Sequence, residues 1–466
     1  MVMRQAIQKH VPVALLATSL VNLGIRSLKA SLKKIGIDSE LYFLKVRSVK
    51  YTRSEIEQII GALVQLDPLL IGISTIELSA VRTKQLIKEI KTTPALKNKI
   101  LVVGGKHPTI CPQEYINTVD IVLRGEGEEA FVELVENLRD GRDYSHIRNL
   151  WVRKGGKIFK NEIRPVIDDL NTLPLPDYFL GINLLKNGKL LVLRNEAFDE
   201  SYPQLKKKAI FLMGARGCMK RCSFCINSNE FSQGKLRKIA VRKIIEYLED
   251  LKRNFRDLGF IYFIEEDFFY RTKDEIYEFI NNYYNKINLP FSINCSPDTV
   301  TDEKLSALVN GGLKILYMGI QSGSERINRS IYNRHISNDK ILKTVRTISN
   351  YIERIEVVHD FIINNPYEDK EDILATIELI KKIPPPFILH VHYLKFFKGS
   401  SLYEKACKDG IIDKNYSETQ LDFHKPRYYL KNGNIYFNLL IALMNGRCTK
   451  NRYGWLPSRL VQILTS

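Results

Sequence analysis

The chain of 466 residues lacks any apolar run long enough to cross a bilayer, which takes about 20 consecutive apolar residues. It has seven cysteines, an odd number at uneven spacings, and this excludes the paired framework of a small secreted disulfide scaffold. It has no repeat of short period and no low-complexity tract, which excludes solenoids and disordered linkers. Lysine and arginine outnumber the acids by 70 to 52, for a net charge of +18. Yet the basic residues are spread along the whole chain, with no cluster of the kind a nucleic-acid-binding arm carries. Nucleic acid is therefore not the expected partner. The basic balance suits an anionic substrate, an acidic peptide or an anionic membrane surface, or else reflects lysines solvated on helix faces. The opening "MVMRQAIQKHVPVALLATSLVNLG" sets an apolar run after early basic residues, as a signal peptide does. That run also begins a regular strand–helix alternation, so it reads as a buried first strand of a cytoplasmic protein.

What is present is alternation, twice over. Up to about residue 146, strand-like runs ("VALLATS", "SELYFLKV", "PLLIGIST", "KILVVGG", "DIVLRGEG") alternate with amphipathic helical runs ("IRSLKASLKKIG", "SEIEQIIGALVQL", "VRTKQLIKEIKTT", "EEAFVELVENLRDG"). Such alternation predicts a doubly wound parallel sheet that binds ligands at the carboxyl ends of its strands. Residues 147–205 read as a hairpin around Gly155-Gly156 followed by the aperiodic linker "DDLNTLPLPDYF". From 206 to 400 a second series follows, with strands "AIFLMGA", "GFIYFIEED", "PFSINCS", "ILYMGIQSGS", "RIEVVHDFIIN" and "ILHVHYLKFF". Six strands alternating with helices predict a parallel sheet curled into part of a barrel. Residues 401–466 are mixed and aromatic-rich, including "FHKPRYYLKNGNIYF", and read as a cap over the barrel. The fold class expected is α/β: a Rossmann-like first domain, a partial six-stranded barrel and a small C-terminal region.

At the end of the first barrel strand stands "GARGCMKRCSFCINS", with Cys218, Cys222 and Cys225 inside eight positions. Thiolates at this density suit zinc or an iron–sulfur cluster. Structural zinc wants four protein ligands, and here neither cysteine nor histidine follows until Cys295, 70 residues on. Three thiolates on a [4Fe–4S] cluster leave one iron open to a substrate or cofactor.

This stretch resembles the cluster loop of the radical S-adenosylmethionine (SAM) superfamily, in which the open iron chelates SAM and its reduction yields a 5′-deoxyadenosyl radical. Phe224 matches the aromatic before the third cysteine. The run Glu265, Glu266 and Asp267 resembles the acidic motif that holds the methionine amine. Gln321, Ser322 and Ser324 in "GIQSGSERIN" resemble the segment that contacts ribose or carboxylate. "DFIINNPYEDKED" resembles a fifth-strand motif, with Asn364 and Asn365 near an expected glycine, and "FKGSSLYEKA" resembles the end of the sixth strand. In the first domain, Ser74, Gly104, Gly105, Gly125, Glu126 and Gly127 resemble the strand-end positions of a cobalamin-binding domain. The connector "DDLNTLPLPDYF" resembles that of cobalamin-type radical enzymes. The loop after the first strand, "TSLVNLGIR", lacks the lower-axial histidine of many cobalamin domains, so Asn22 or another residue there would face the lower side of the corrin. His107 is the other candidate ligand. The resemblance implies a [4Fe–4S] cluster, SAM and cobalamin as cofactors, an electron donor such as flavodoxin or ferredoxin, and methylation of an unactivated carbon in a small molecule or peptide. A radical oxidation, cyclisation, rearrangement or epimerisation, or corrinoid binding without catalysis, stand as alternatives. An epimerase would need a thiol hydrogen donor, for which Cys295, Cys407 and Cys448 are the candidates.

Overall fold

The structure is a computed structural model that describes residues 12–19, 21–44, 48–179, 182–193, 208–228, 234–416 and 447–448. The chain forms two compact units. The tail "FHKPRYYLKNGNIYF" lies outside the described residues, as does the first part of the signal-like opening.

The described part of the first unit covers residues 12–168 and 172–193. It runs β1 (Val13–Ala17), α1 (Leu23–Lys34), β2 (Ser39–Leu44), α2 (Arg53–Leu66), β3 (Leu70–Ser74), α3 (Ala80–Thr92), β4 (Ile100–Gly104), α4 (Lys106–Ile110), β5 (Ile121–Leu123), α5 (Glu128–Arg139), β6 (Leu150–Lys154), β7 (Lys157–Lys160), β8 (Ile182–Lys186) and β9 (Lys189–Leu193). Its sheet has the order β7-β6-β5-β4-β3-β1-β2-β8-β9. From β5 to β8 every pairing is parallel, and β6, β7 and β9 add antiparallel edges. The continuous apolar run of β1 follows from burial on both faces. Ile59 and Leu63 of α2 and Leu86, Ile87 and Ile90 of α3 pack on one face beside Ala14, Ile71 and Val103. Helix α2 starts at a capping box, Thr52 with Glu55, which satisfies two of its orphan N–H groups. The chain leaves β1 toward β2 on one side and returns to β3 on the other, so the order reverses beside β1.

The hairpin expected over 147–163 is β6–β7, with Gly155 and Gly156 at its turn. A second hairpin, β8–β9, lies in the stretch expected to be linker. Its turn residues, Asn187 at φ 51° and Gly188 at φ 76°, have the positive φ pair of a tight hairpin turn. Asn-Gly between apolar runs is the local signal for this, and it lies plainly in "LLKNGKLLVL".

The second unit runs β10 (Lys208–Leu212), β11 (Ala215–Arg216), β12 (Arg237–Lys238), α6 (Val241–Asn254), β13 (Leu258–Phe263), α7 (Lys273–Lys286), β14 (Phe291–Cys295), α8 (Asp302–Asn310), β15 (Leu313–Gln321), α9 (Asn338–Ser349), β16 (Glu356–Ile363), α10 (Lys370–Lys381), β17 (Phe387–Tyr393), α11 (Ser401–Lys408) and β18 (Arg447–Cys448). Six parallel strands, β10-β13-β14-β15-β16-β17, are closed at one edge by antiparallel β18. The sheet curls. Ala209, Phe260, Ile315 and Val358, from four strands, form one cluster, with Tyr262, Tyr317 and Ile388 packed against it. These residues define the concave face. On the convex side, Phe263 and Phe291 meet Phe279 and Tyr283 of α7 in edge-to-face and tilted contacts at ring separations from 5.1 to 6.4 Å. A capping box of Thr272 and Glu275 starts α7 and holds that aromatic face in place.

Phe279 is fully buried in this cluster. Phe279→Ala should cost about 3–5 kcal/mol, seen as a lower denaturant midpoint for the second unit. A loss under about 1 kcal/mol would contradict this packing.

Candidate active site

The cysteine loop leaves β10 and is pinched at its base by the two-residue ladder of β11 with β12. At the pinch stands Gly217, with φ +92°, where a Cβ would lie 2.1 Å from the Lys235 carbonyl oxygen. Only glycine lets the two legs approach so closely. Inside the loop, Cys225 N–H donates to the Cys222 carbonyl (3.1 Å) and Ser228 Oγ donates to the carbonyls of both Cys222 and Cys225 (2.7 Å each). From outside, Ser223 N–H donates to the Tyr332 carbonyl at 2.9 Å.

Each of the three sulfurs accepts one N–H: Cys218 from Lys220, Cys225 from Asn227 and Cys222 from the Arg334 guanidinium, all at 3.4 Å. A sulfur that accepts an N–H suits a thiolate ligand to a soft metal. Burial pushes the Cys218 thiol up, and a bound metal would displace its proton. Arg334 also donates to the Gly319 carbonyl at 2.8 Å. The sequence reading missed this residue, which lies in the aperiodic turn "YNRH".

The acidic run divides by role. Glu265 is buried, accepts the Gly214 N–H at 2.7 Å and pairs with Arg271. Asp267 is buried and accepts from Phe269 N–H (2.9 Å), Ser296 N–H (3.1 Å) and Thr299 Oγ1 (2.8 Å). Burial raises its pKa to about 6. Glu266 between them is exposed and is held by Asn227 of the cysteine loop. Ser322 and Ser324 turn inward onto α10, where they meet Thr376 and Asp372. Gln321, at φ 74° beyond an irregularity in the β15 ladder, is only half-buried. Phe224 meets Tyr332 edge-to-face at 5.1 Å and packs against a cluster that includes Ile362, Phe396 and Leu402. Asn364 adopts φ 58°, the left-handed conformation for which a glycine is expected at this point, and asparagine tolerates it better than most residues.

The three lone cysteines are not brought together. Cys295 shares the face of Phe291 and Ile293 on β14, which packs against α7 and away from the concave side; burial raises its thiol further. Cys407, on α11, packs against the cluster around Leu402. Cys448 lies in β18, in register with Phe387.

In the first unit a cleft opens at the carboxyl ends of the strands. Gly24, Gly72, Gly104, Gly105, Gly125 and Gly127 line it, with Ser74, Glu128 and apolar side chains. Gly105, at φ +106°, would carry a Cβ 2.4 Å from the Thr75 carbonyl. Thr109 ties the two glycine loops together, accepting from Gly125 N–H at 3.0 Å and donating to the Gly105 carbonyl at 2.8 Å. Asn22 caps α1 and donates to Ser74 Oγ at 2.9 Å. Neither Asn22, Glu126 nor His107 lines the cleft. His107 is buried with Nδ1 at 2.8 Å from the Tyr115 hydroxyl, and Glu126 accepts from Ile167 N–H at 2.8 Å.

A B12 binding domain model matches residues 9–135, and a radical SAM superfamily model matches residues 213–380. The chain belongs to the cobalamin-binding radical SAM enzymes. An uncharacterized methyltransferase of Pyrococcus horikoshii is 27% identical over 374 residues, 78% of this chain and 73% of the relative. Among solved structures, the radical SAM methyltransferase TsrM from Kitasatospora setae, with cobalamin and a [4Fe–4S] cluster bound, matches with a TM-score of 0.67 at 16% identity. The match covers 85% of this chain and 78% of that one. The cobalamin-dependent radical SAM enzyme OxsB matches with a TM-score of 0.62 at 16% identity over 98% of this chain, but only 61% of its own length. Among the described residues no helix is long and apolar enough to cross a membrane.

The residues present fit this family's cofactors. The three-thiol set suits an iron–sulfur cluster with one open iron. The cleft, whose lining residues include no histidine, suits a large group laid against backbone without a nitrogen ligand from the protein.

Two predictions follow from this geometry. Gly217→Ala should leave the first unit folded and sharply reduce bound iron, because the cysteine loop cannot close; iron content equal to wild type would refute the pinch. Glu368, buried after β16, has its pKa raised to about 8 by burial and by the Asp372 charge, whereas an unfolded carboxyl ionises near about 4.3. Its contribution to stability is therefore full below that unfolded value and is lost as pH rises toward about 8. Glu368→Gln should flatten this fall, as measured by denaturant unfolding from pH of about 5 to about 8. Parallel wild-type and variant curves would show that Glu368 is ionised in the folded state.

Proposed function

We propose that the protein is a cobalamin-dependent radical SAM methylase of an unactivated carbon. The observation that carries this reading is the presence in one chain of a three-thiol loop at the mouth of a curled parallel sheet and a glycine-lined cleft at the strand ends of a doubly wound one. When bound, the cluster with SAM supplies a 5′-deoxyadenosyl radical, and methylcobalamin supplies the methyl group.

Cys218, Cys222 and Cys225 hold the cluster, with the Arg334 cation offsetting negative charge at Cys222. Glu266 receives the methionine amine. Its exposed carboxylate beside the cysteine loop supports that role, which Glu265 and Asp267, occupied by buried hydrogen bonds, cannot share. Gln321 meets the ribose, while Ser322 and Ser324 position its loop against α10. Phe224 lies beside the adenine. Ser74, Gly104, Gly105, Gly125 and Gly127 receive the corrin, and Asn22 orients Ser74. A flavodoxin or ferredoxin in the cytoplasm supplies electrons. The substrate is a small molecule or peptide, and the net charge of +18 favours an anionic one. An epimerase reading has less support, since Cys295 faces away from the concave side.

The protein loaded with cluster and cobalamin should be incubated with a reductant, methyl-deuterated SAM and candidate acceptors. A product carrying the deuterated methyl group, with 5′-deoxyadenosine formed alongside, is expected. Formation of 5′-deoxyadenosine with an unmethylated product would sink the methyl-transfer reading. Glu266→Gln should raise the SAM concentration needed for half-maximal 5′-deoxyadenosine release by about tenfold, the loss of one charge-assisted hydrogen bond. An unchanged value would remove Glu266 from that role.

A further inference from the structure

On the concave face of the second unit, three metal-ligating side chains converge that no step above uses. Asp360 on β16 stands opposite His390 on β17 in the parallel register. His392 follows two residues on along β17. Asp360 Oδ1 lies 2.7 Å from His390 Nδ1 and 3.1 Å from His392 Nε2. The imidazole centroids are 4.2 Å apart, with ring planes at 63°. The three donor atoms all lie within 4.8 Å of one another.

Their place follows from the pleat. Val358 and Ile388 pack into the concave cluster with Ala209, Phe260 and Ile315. A period of two puts Asp360 and His390 on that same face one step nearer the carboxyl ends, and His392 two steps nearer. Beside Asp360, across the β15 pairing, stands Gly319, and the Gln321 amide lies over it, 2.6 Å from where a Cβ would sit. The site therefore lies inside the curl and on its carboxyl side, where barrels of this class bind substrate.

We propose that Asp360, His390 and His392 form a mononuclear site for a divalent cation of the Zn²⁺ or Fe²⁺ class. Two imidazoles and one carboxylate are a borderline donor set that favours such ions over Mg²⁺ or Ca²⁺. Ligands bound to zinc at about 2.0–2.2 Å stand about 3–3.5 Å from each other, close to the spacing of these donors about Asp360 Oδ1. Both imidazoles place a nitrogen within hydrogen-bond reach of one carboxylate oxygen, so a bound cation would replace the protons those contacts share. Three protein ligands leave at least one position open, the arrangement of a reactive rather than a structural site. Half-exposed side chains leave that position accessible. An oxygen or nitrogen of the molecule acted on would take it; this last part rests on the function proposed above, whereas the ion site does not.

The test uses full-length protein with its cluster assembled and its loosely held metals removed by chelator, titrated with Zn²⁺ and followed by calorimetry and zinc-edge absorption. One Zn²⁺ per chain is expected, with a shell of nitrogen and oxygen and with imidazole scattering. His390→Gln and His392→Gln should each weaken binding by about tenfold or more. The iron–sulfur absorption of each variant reports that the second unit has folded. A Cys218→Ser, Cys222→Ser, Cys225→Ser triple variant should still bind the ion. A sulfur shell, loss of binding in that triple variant, no stoichiometric binding to wild type, or unchanged affinity in both histidine variants would overturn the proposal. Should the histidine variants lose their iron, Asp360→Asn read by the same edge spectrum decides it. Asn ligates more weakly than a carboxylate, and an unaltered shell and affinity would refute the site.

Discussion

One buried carboxylate organises the mouth of the second unit. Glu265, at the end of β13, accepts the backbone N–H of Gly214, three residues before the Gly217 pinch, and pairs with the buried Arg271 guanidinium. A charge in such a place is tolerated only because both of its oxygens are met. The Glu265 carbonyl in turn accepts from Asn294 at 2.9 Å, joining β13 to β14. Asp267, two residues on, gathers the loops after β13 and β14. The cysteine loop thus starts from a fixed point, and the carboxylate left facing outward, Glu266, is presented by its two neighbours.

The same economy governs the other strand ends. Ser322 and Ser324 hold a loop to a helix, Thr109 ties one glycine turn to another, and Asn22 caps a helix while bonding Ser74. In each case the short polar side chain satisfies backbone or neighbouring groups. Residues that match a family motif thus split into those able to touch a cofactor and those that set the shape around it.

The two sheets were legible because strands buried on both faces read as unbroken apolar runs and the helices between them keep a clear amphipathic period. The cysteine spacing was equally plain. What was hidden depended on pairing across long separations. In the acidic run three carboxylates look alike, and only the pleat and the neighbouring strand decide which two are buried. Arg334 reaches Cys222 over 112 residues of sequence, a contact no local pattern announces. Asp360 and the two histidines meet only because β16 and β17 align in parallel register, 30 and 32 residues apart. The β8–β9 hairpin is a different case. Its Asn-Gly turn was in view, but the two prolines upstream drew the whole stretch into a linker.

The cleft in the first unit is defined by side chains that are missing. Where main-chain atoms bound the cleft its contour does not depend on side-chain rotamers, and Leu15, Leu28, Val102, Leu123 and Phe131 complete the wall. Damage runs in one direction. Truncating a large neighbour leaves a slack but usable space, whereas a single added methyl at Gly105 or Gly127 intrudes on atoms already in contact. Replacement by alanine, ordinarily a probe of what a side chain contributes, here presses on the protein's own Thr75 and Leu123. The outline of the cleft is therefore set by how far those neighbours can give.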